Sequence, residues 1–259
     1  MMGCCFSSQQ EGPTSKTRLL QDQSDHHGDR EPPSSARQKY GDKNSHTVEF
    51  TTSVDVLRPA DMKTVALSKL DKTFQDQAKL YDDLLVCFQT LKQDMEKFKG
   101  YFAAETEGIS ELHKCVVILV ERCGEAELVV DRKLKNCIQI EYKSEEILRT
   151  CTVDYQQVIP VLDLFNAINK LIKKILDRAP QVRSTIECLL SDAHEMKKDI
   201  MKSDLNSAEG PAAMKACIAN ISKLDVLRKD VDTIMKHTDR MFKDVLQSSK
   251  GFFKDEQEE

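Results

Sequence analysis

Between Leu67 and Phe98 the chain reads LSKLDKTFQDQAKLYDDLLVCFQTLKQDMEKF. Within it Leu67, Leu70, Phe74, Gln77, Tyr81, Leu84, Phe88, Leu91, Met95 and Phe98 follow one another at alternating spacings of three and four. That alternation keeps side chains on one face of an α-helix, whereas a strand would need a spacing of two. All but Gln77 are apolar or aromatic, and the residues between them are mostly charged or polar. The stretch therefore predicts a long amphipathic helix with a heptad-like seam. Pro59 and Asp61 mark its expected start. Gly100 is its expected end, unless the helix runs on through Tyr101 and Phe102.

The same rhythm recurs downstream. A second helix is expected over 103–122, carrying Ile109, Leu112, Val116 and Leu119, with Cys123-Gly124 as a stop. A third is expected from Glu125, through Leu128, Leu134, Cys137 or Ile138, and Ile147, and on to Phe165, Ile168, Ile172 and Ile175. Pro160 should kink or divide it, and Ala179-Pro180 should end it, because an interior proline removes a hydrogen bond and clashes with the preceding turn. A fourth carries Val182, Ile186, Leu189, Ala193, Met196 and Ile200. Asn206 to Pro211 breaks the pattern, and Pro211 suits the first turn of a last helix running through Cys217, Leu224, Val231, Ile234, Thr238 and Val245. No strand is expected, since runs such as Leu128 to Val130 are short and flanked by charged helix formers.

A single apolar stripe leaves each helix unstable alone. The fold class expected is all-α, an elongated antiparallel bundle of about four to five long amphipathic helices. Leu70, Leu84, Leu91, Ile168, Leu189 and Val231 should be buried. Residues 1–58, rich in Ser, Gln, Asp and His with scattered apolar residues, read as a disordered tether. The bundle is expected over 59–250, and 251–259 as a disordered acidic end.

Composition agrees with this. Of 259 residues, 40% are hydrophobic and 31% charged, with no Trp, the balance of a helical protein with a charged surface. A net charge of -5 argues against general nucleic-acid binding. The longest apolar run, Cys115 to Val120, is far short of the ~20 residues that span a bilayer. Seven of the nine cysteines lie beyond the start with neither C-x-x-C nor zinc-finger spacing, so they read as small buried hydrophobes in a reducing compartment.

No phosphate loop, dinucleotide-binding glycine pattern, His-Glu-x-x-His or nucleophile elbow occurs. His113 and Cys115 are two apart on a helix and face different ways. Acid pairs such as Asp82-Asp83 and Glu145-Glu146 read as solvated faces. The expectation is a non-enzyme without cofactor or metal. Lys170, Lys173, Lys174 and Arg178 share a helix face. The plain reading is an exposed helix end where the macrodipole favours cations; the sharper one is contact with anionic lipid headgroups.

The start of the chain points to a place. From Met2 it reads Met-Gly3-Cys4-Cys5-Phe6-Ser7-Ser8, which fits N-myristoylation of Gly3 beside two cysteines open to palmitoylation. One myristoyl chain binds a bilayer only marginally, with K on the order of 10⁴ M⁻¹, and a second acyl chain makes residence stable. Lysines cannot replace it here, since residues 1–58 hold seven basic against eight acidic residues. Met1 must be absent for Gly3 to be exposed, so acylation requires initiation at Met2. Leu19-Leu20 lacks the acidic residue of a dileucine sorting signal, having Ser15 at that place. This run, with Arg18-Leu19-Leu20 after it, resembles the start of the membrane-anchor subunit of the lysosomal Ragulator complex. The resemblance covers about a dozen residues and implies acylation at Gly3, Cys4 and Cys5 and a late-endosomal or lysosomal address.

Residues 71–112, above all Phe98-Lys99-Gly100-Tyr101-Phe102-Ala103-Ala104, resemble the first long helix of BAR domains. That resemblance implies a homodimer that binds or senses curved membrane. Two readings follow. The first is a lipid-anchored adaptor or scaffold on the cytoplasmic face of a late endosome, lysosome or plasma membrane, reaching the bilayer through its acyl chains and other proteins through its bundle. The second is a BAR-like dimer.

Overall fold

The computed structural model describes residues 57–106, 111–132, 134–151 and 155–252. Three long helices make its frame: α1, Ser68–Gly100; α4, Tyr155–Ser191; and α6, Glu209–Ser248. Short elements lie between them: α2, Leu112–Cys123; β1, Val129–Asp131; β2, Gln139–Glu141; α3, Ser144–Thr150; and α5, Ala193–Lys202. A 3-10 turn, Ser249–Phe252, follows α6. At 1.5 Å per residue the long helices measure roughly 50–60 Å. The fold is all-α apart from one small hairpin.

Side-chain pairs fix the directions of the frame. Phe98 of α1 meets Phe165 of α4 at 5.6 Å between ring centroids, while Leu84 shares a groove with Val182. As one number rises the other falls, so α1 and α4 are antiparallel. Arg183 meets Asp232 at 3.0 Å and Phe165 meets Phe252 at 5.5 Å, so α4 and α6 are antiparallel too. Tyr81 donates to Asp230 at 3.3 Å and Phe88 faces His237 at 6.4 Å, so α1 and α6 run in the same direction. The seam of α1 is inside: from Leu70 to Phe98 every seam position is buried, Gln77 included.

At one end of the frame four phenylalanines close the core. Phe98 touches Phe102 at 5.3 Å and Phe165 at 5.6 Å, and Phe165 touches Phe252. Arg122 of α2 lies over the Phe102 ring at 4.8 Å and pairs with Glu105. Phe252, placed by composition in the acidic end, is 4% exposed.

Several boundaries differ from expectation. The first helix starts at Ser68, not near Pro59. Residues 57–65 run extended against the bundle before the chain reverses at Ala66, and Leu57, Ala60, Met62 and Leu67 pack on the core. Acceptors on the frame hold this strap out of a helix: its main-chain N–H groups bond to side chains of α1 and α6. The second helix begins at Leu112 rather than 103, because the chain turns over 101–106. The third does not begin at Glu125. Gly124 breaks the chain with φ 65, and β1 and β2 then pair antiparallel, Val130 opposite Ile140. The absence of strands was the wrong expectation: Ile138 and Ile140 are buried while Gln139 and Glu141 are not, a period of two too short to stand out. Asn136, with φ 57, turns the hairpin, a conformation that Asn tolerates better than most residues.

The prolines of α4 neither divide it nor end it. Pro160 and Pro180 both lie inside Tyr155–Ser191 and both are exposed. Their rings sit on the solvent side, where the carbonyl each leaves unbonded can be hydrated. The helix therefore runs on through Val182 and Ile186 to Ser191, and the break comes at Asp192. Leu189, expected in the core, is half-buried because it lies on the flank of this last stretch. Leu70, Leu84, Leu91, Ile168 and Val231 are buried as expected. At α6 the Asn206 side chain accepts the N–H groups of Ala208 and Glu209, and Pro211 falls in the first turn.

Candidate functional site

Gly3, Cys4 and Cys5 lie outside the described residues. The basic stripe lies within them, on the outer side of α4. Lys170, Lys174 and Arg178 are exposed; Lys173 is half-buried and paired with Asp177 at 2.5 Å. The two ends of the stripe line different grooves. Lys170 lines a groove of about 520 Å³ with Asp163, Asn166 and Tyr142. Arg178 lines another, of about 370 Å³, with Asp83, Leu80 and Val182. Each of these cations thus has a carboxylate beside it in its groove, which weakens the pull on an anionic surface.

The first groove is built by the hairpin against α4. Asn166 grips strand β2 with both ends of its amide: Oδ1 accepts from Ile140 N–H at 2.8 Å and Nδ2 donates to the Ile140 carbonyl at 2.9 Å. Two residues on, the Tyr142 hydroxyl donates to Asp163 at 2.6 Å. Burial and then this carboxylate raise the Tyr142 pKa, so the phenol stays protonated at neutral pH and acts as a donor.

A second grip of the same kind holds the strap. Asn220 of α6, 1% exposed, accepts from Lys63 N–H at 2.8 Å and donates to the Lys63 carbonyl at 2.7 Å. Asp82 accepts from Ala60 N–H at 2.7 Å and Asp71 from Val65 N–H at 2.6 Å. All of these bonds go to main chain, as they would along a sheet edge. Neither grip was visible beforehand. Asp71, Asp82, Asn166 and Asn220 each read alone as an ordinary polar helix residue. The cue is that Asn220 stands three residues after Cys217 and four before Leu224, on the apolar seam of α6.

Four buried thiols are chemically quiet. Burial pushes Cys123 up to about 11, with Cys151 nearby adding to the effect, and raises Cys115, Cys137 and Cys217. Thiols so shifted are poor nucleophiles and poor metal ligands at neutral pH. Cys188 is exposed, the exception among the sites expected to be buried, and Cys151 is half-buried. Among the described residues no group of three His, Cys, Asp or Glu could hold a metal ion, and no helix is long and apolar enough to cross a membrane. No family model matches the chain, and neither does any curated protein or solved structure.

Proposed function

We propose that this protein is a lipid-anchored adaptor, held on the cytoplasmic face of an endosomal, lysosomal or plasma membrane by acyl chains on Gly3, Cys4 and Cys5. The observation that carries the reading is the pattern Gly3-Cys4-Cys5-Phe6-Ser7-Ser8. It supplies the two acyl signals that stable residence requires. The helical frame presents long charged faces to other proteins and holds no site logic for catalysis, so a non-enzymatic scaffold is the reading we adopt.

Membrane fractionation tests the anchor. With translation started at Met2, the wild type should sediment with membranes and resist salt extraction, since charge does not hold it. Gly3→Ala, and Cys4→Ser with Cys5→Ser, should each release most of the protein. A double-serine form that stays on membranes would overturn the two-chain anchor. It would also bring forward a second reading, a BAR-like membrane-binding dimer. That reading is favoured by one observation, the up-down-up arrangement of three helices of 33, 37 and 40 residues.

A further inference from the structure

The strap over residues 57–65 is held by contacts that do not depend on which chain it belongs to. Its partners are three side chains of the frame, and what they grip is main chain: Ala60 N–H by Asp82, Lys63 N–H and carbonyl by Asn220, Val65 N–H by Asp71. Val65 is fully buried. The strap runs antiparallel to α1, since Ala60 lies beside Asp82 and Val65 beside Asp71. The reversal between strap and helix falls on Ala66, whose φ is 62. An alanine there is in the left-handed region, which costs free energy that a glycine would not lose.

A strap joined by a short strained hinge and seated in a groove with chain-independent contacts has what segment exchange needs. Extending the hinge at Ala66 relieves the backbone and sends the strap off the end of the bundle along the axis of α1. A second copy placed end to end about a twofold axis receives it in its own α1–α6 groove, running in the same sense. Both straps then make the bonds they made before, and two hinges lose their strain.

We propose that the chain forms a dimer by exchanging residues 57–65, each strap lying in the partner's α1–α6 groove against Asp71, Asp82 and Asn220. This proposal rests on the described bundle alone and is independent of acylation. It differs from a BAR-like pairing, in which helix faces, not straps, would meet.

The test uses the full chain, unacylated, with a diazirine-bearing methionine analogue at Met62, whose side chain packs on the core. Ala66→Pro fixes φ near −65° and forbids the reversal, so light scattering should show a dimer fraction at least ~tenfold above wild type. Irradiation should then join two chains on a denaturing gel. Ala66→Gly, which accepts positive φ without strain, should lower the dimer fraction of wild type refolded at high concentration. A folded Ala66→Pro monomer, or a dimer whose crosslinks stay within one chain, overturns the proposal. If Ala66→Pro loses its helical circular dichroism, wild type and Ala66→Gly decide. More crosslinked dimer in wild type supports exchange, and equal or no dimer in the two overturns it.

Discussion

The three long helices and the stretch between α1 and α4, residues 101–151, are held by different means. In the frame, stability is spread over many similar contacts: Leu70, Phe74, Leu84, Leu91 and Phe98 repeat one role along a single seam. In the intervening stretch α2 repeats the pattern with Leu112, Val116 and Leu119, but from Gly124 onward the turn and the hairpin depend on contacts that are each made once. Gly124 turns the chain where a Cβ would collide with the Thr150 carbonyl oxygen. Thr150 Oγ1 donates back to the Cys123 carbonyl at 3.0 Å, and Asn166 alone grips Ile140. Repetition tolerates a weak member, as the buried Gln77 shows; single contacts do not.

The largest test asks whether the two regions melt as one. Phe165 reaches their junction through Phe98, which also touches Phe102 of the intervening stretch. Phe165→Ala should destabilise the whole by about 3–5 kcal/mol, the range for a buried aromatic truncation. Urea unfolding followed by helical signal, together with amide exchange, should show protection lost in both regions. Loss confined to one of them would break the comparison at its base.

Gly124→Ala should cost about 2–4 kcal/mol, from the disfavoured backbone and the overpacking together. Its effect should be local at first. Amides of 124–151 should exchange faster while those of α1, α4 and α6 keep their protection. Uniform acceleration in both regions would mean the intervening stretch is part of the frame's cooperative unit.

The smallest effect concerns the rim of the frame. Burial lowers the pKa of His237 below its ordinary value, with Arg240, Lys236 and Lys92 adding to the shift. The folded state thus disfavours the proton. His237 contributes stability fully above the unfolded pKa of about 6.5, lost as pH falls through the lower folded value. The urea midpoint of the wild type should drop more than that of His237→Asn between about pH 7.5 and 5.5. Parallel profiles would show that this edge of the seam is indifferent to charge.

How much of this was legible follows the same division. The seam could be read because its period repeats over helices of 33 to 40 residues, and one odd position such as Gln77 does not hide it. The hairpin could not, since three-residue strands give a period of two almost no room. Pro180 reads as a stop because the local cost of proline takes no account of the packing of Ala179 and Val182 on either side, which keeps α4 in place. The strap reads as helix because two of its three acceptors are distant in sequence, Asn220 157 residues from Lys63 and Asp82 22 from Ala60. The candidate site divides likewise. Lys170, Lys173, Lys174 and Arg178 were placed on one helix, but the carboxylates that neighbour them come from elsewhere in the chain or the next turn, and only the fold brings those together.

The grip on the strap has a consequence for sequence drift. Asp71, Asp82 and Asn220 hold main-chain atoms, so the exposed side chain of Lys63 is free to change under that hold. What cannot be given up is an N–H at 60, 63 and 65, which excludes proline from those three positions. Pro59, one place earlier, already marks where the rule does not apply. Val65 keeps a second constraint, because its side chain is buried. Over evolutionary time the strap can therefore change at its exposed positions while keeping its place, and much of the record of it lies on the helices that hold it.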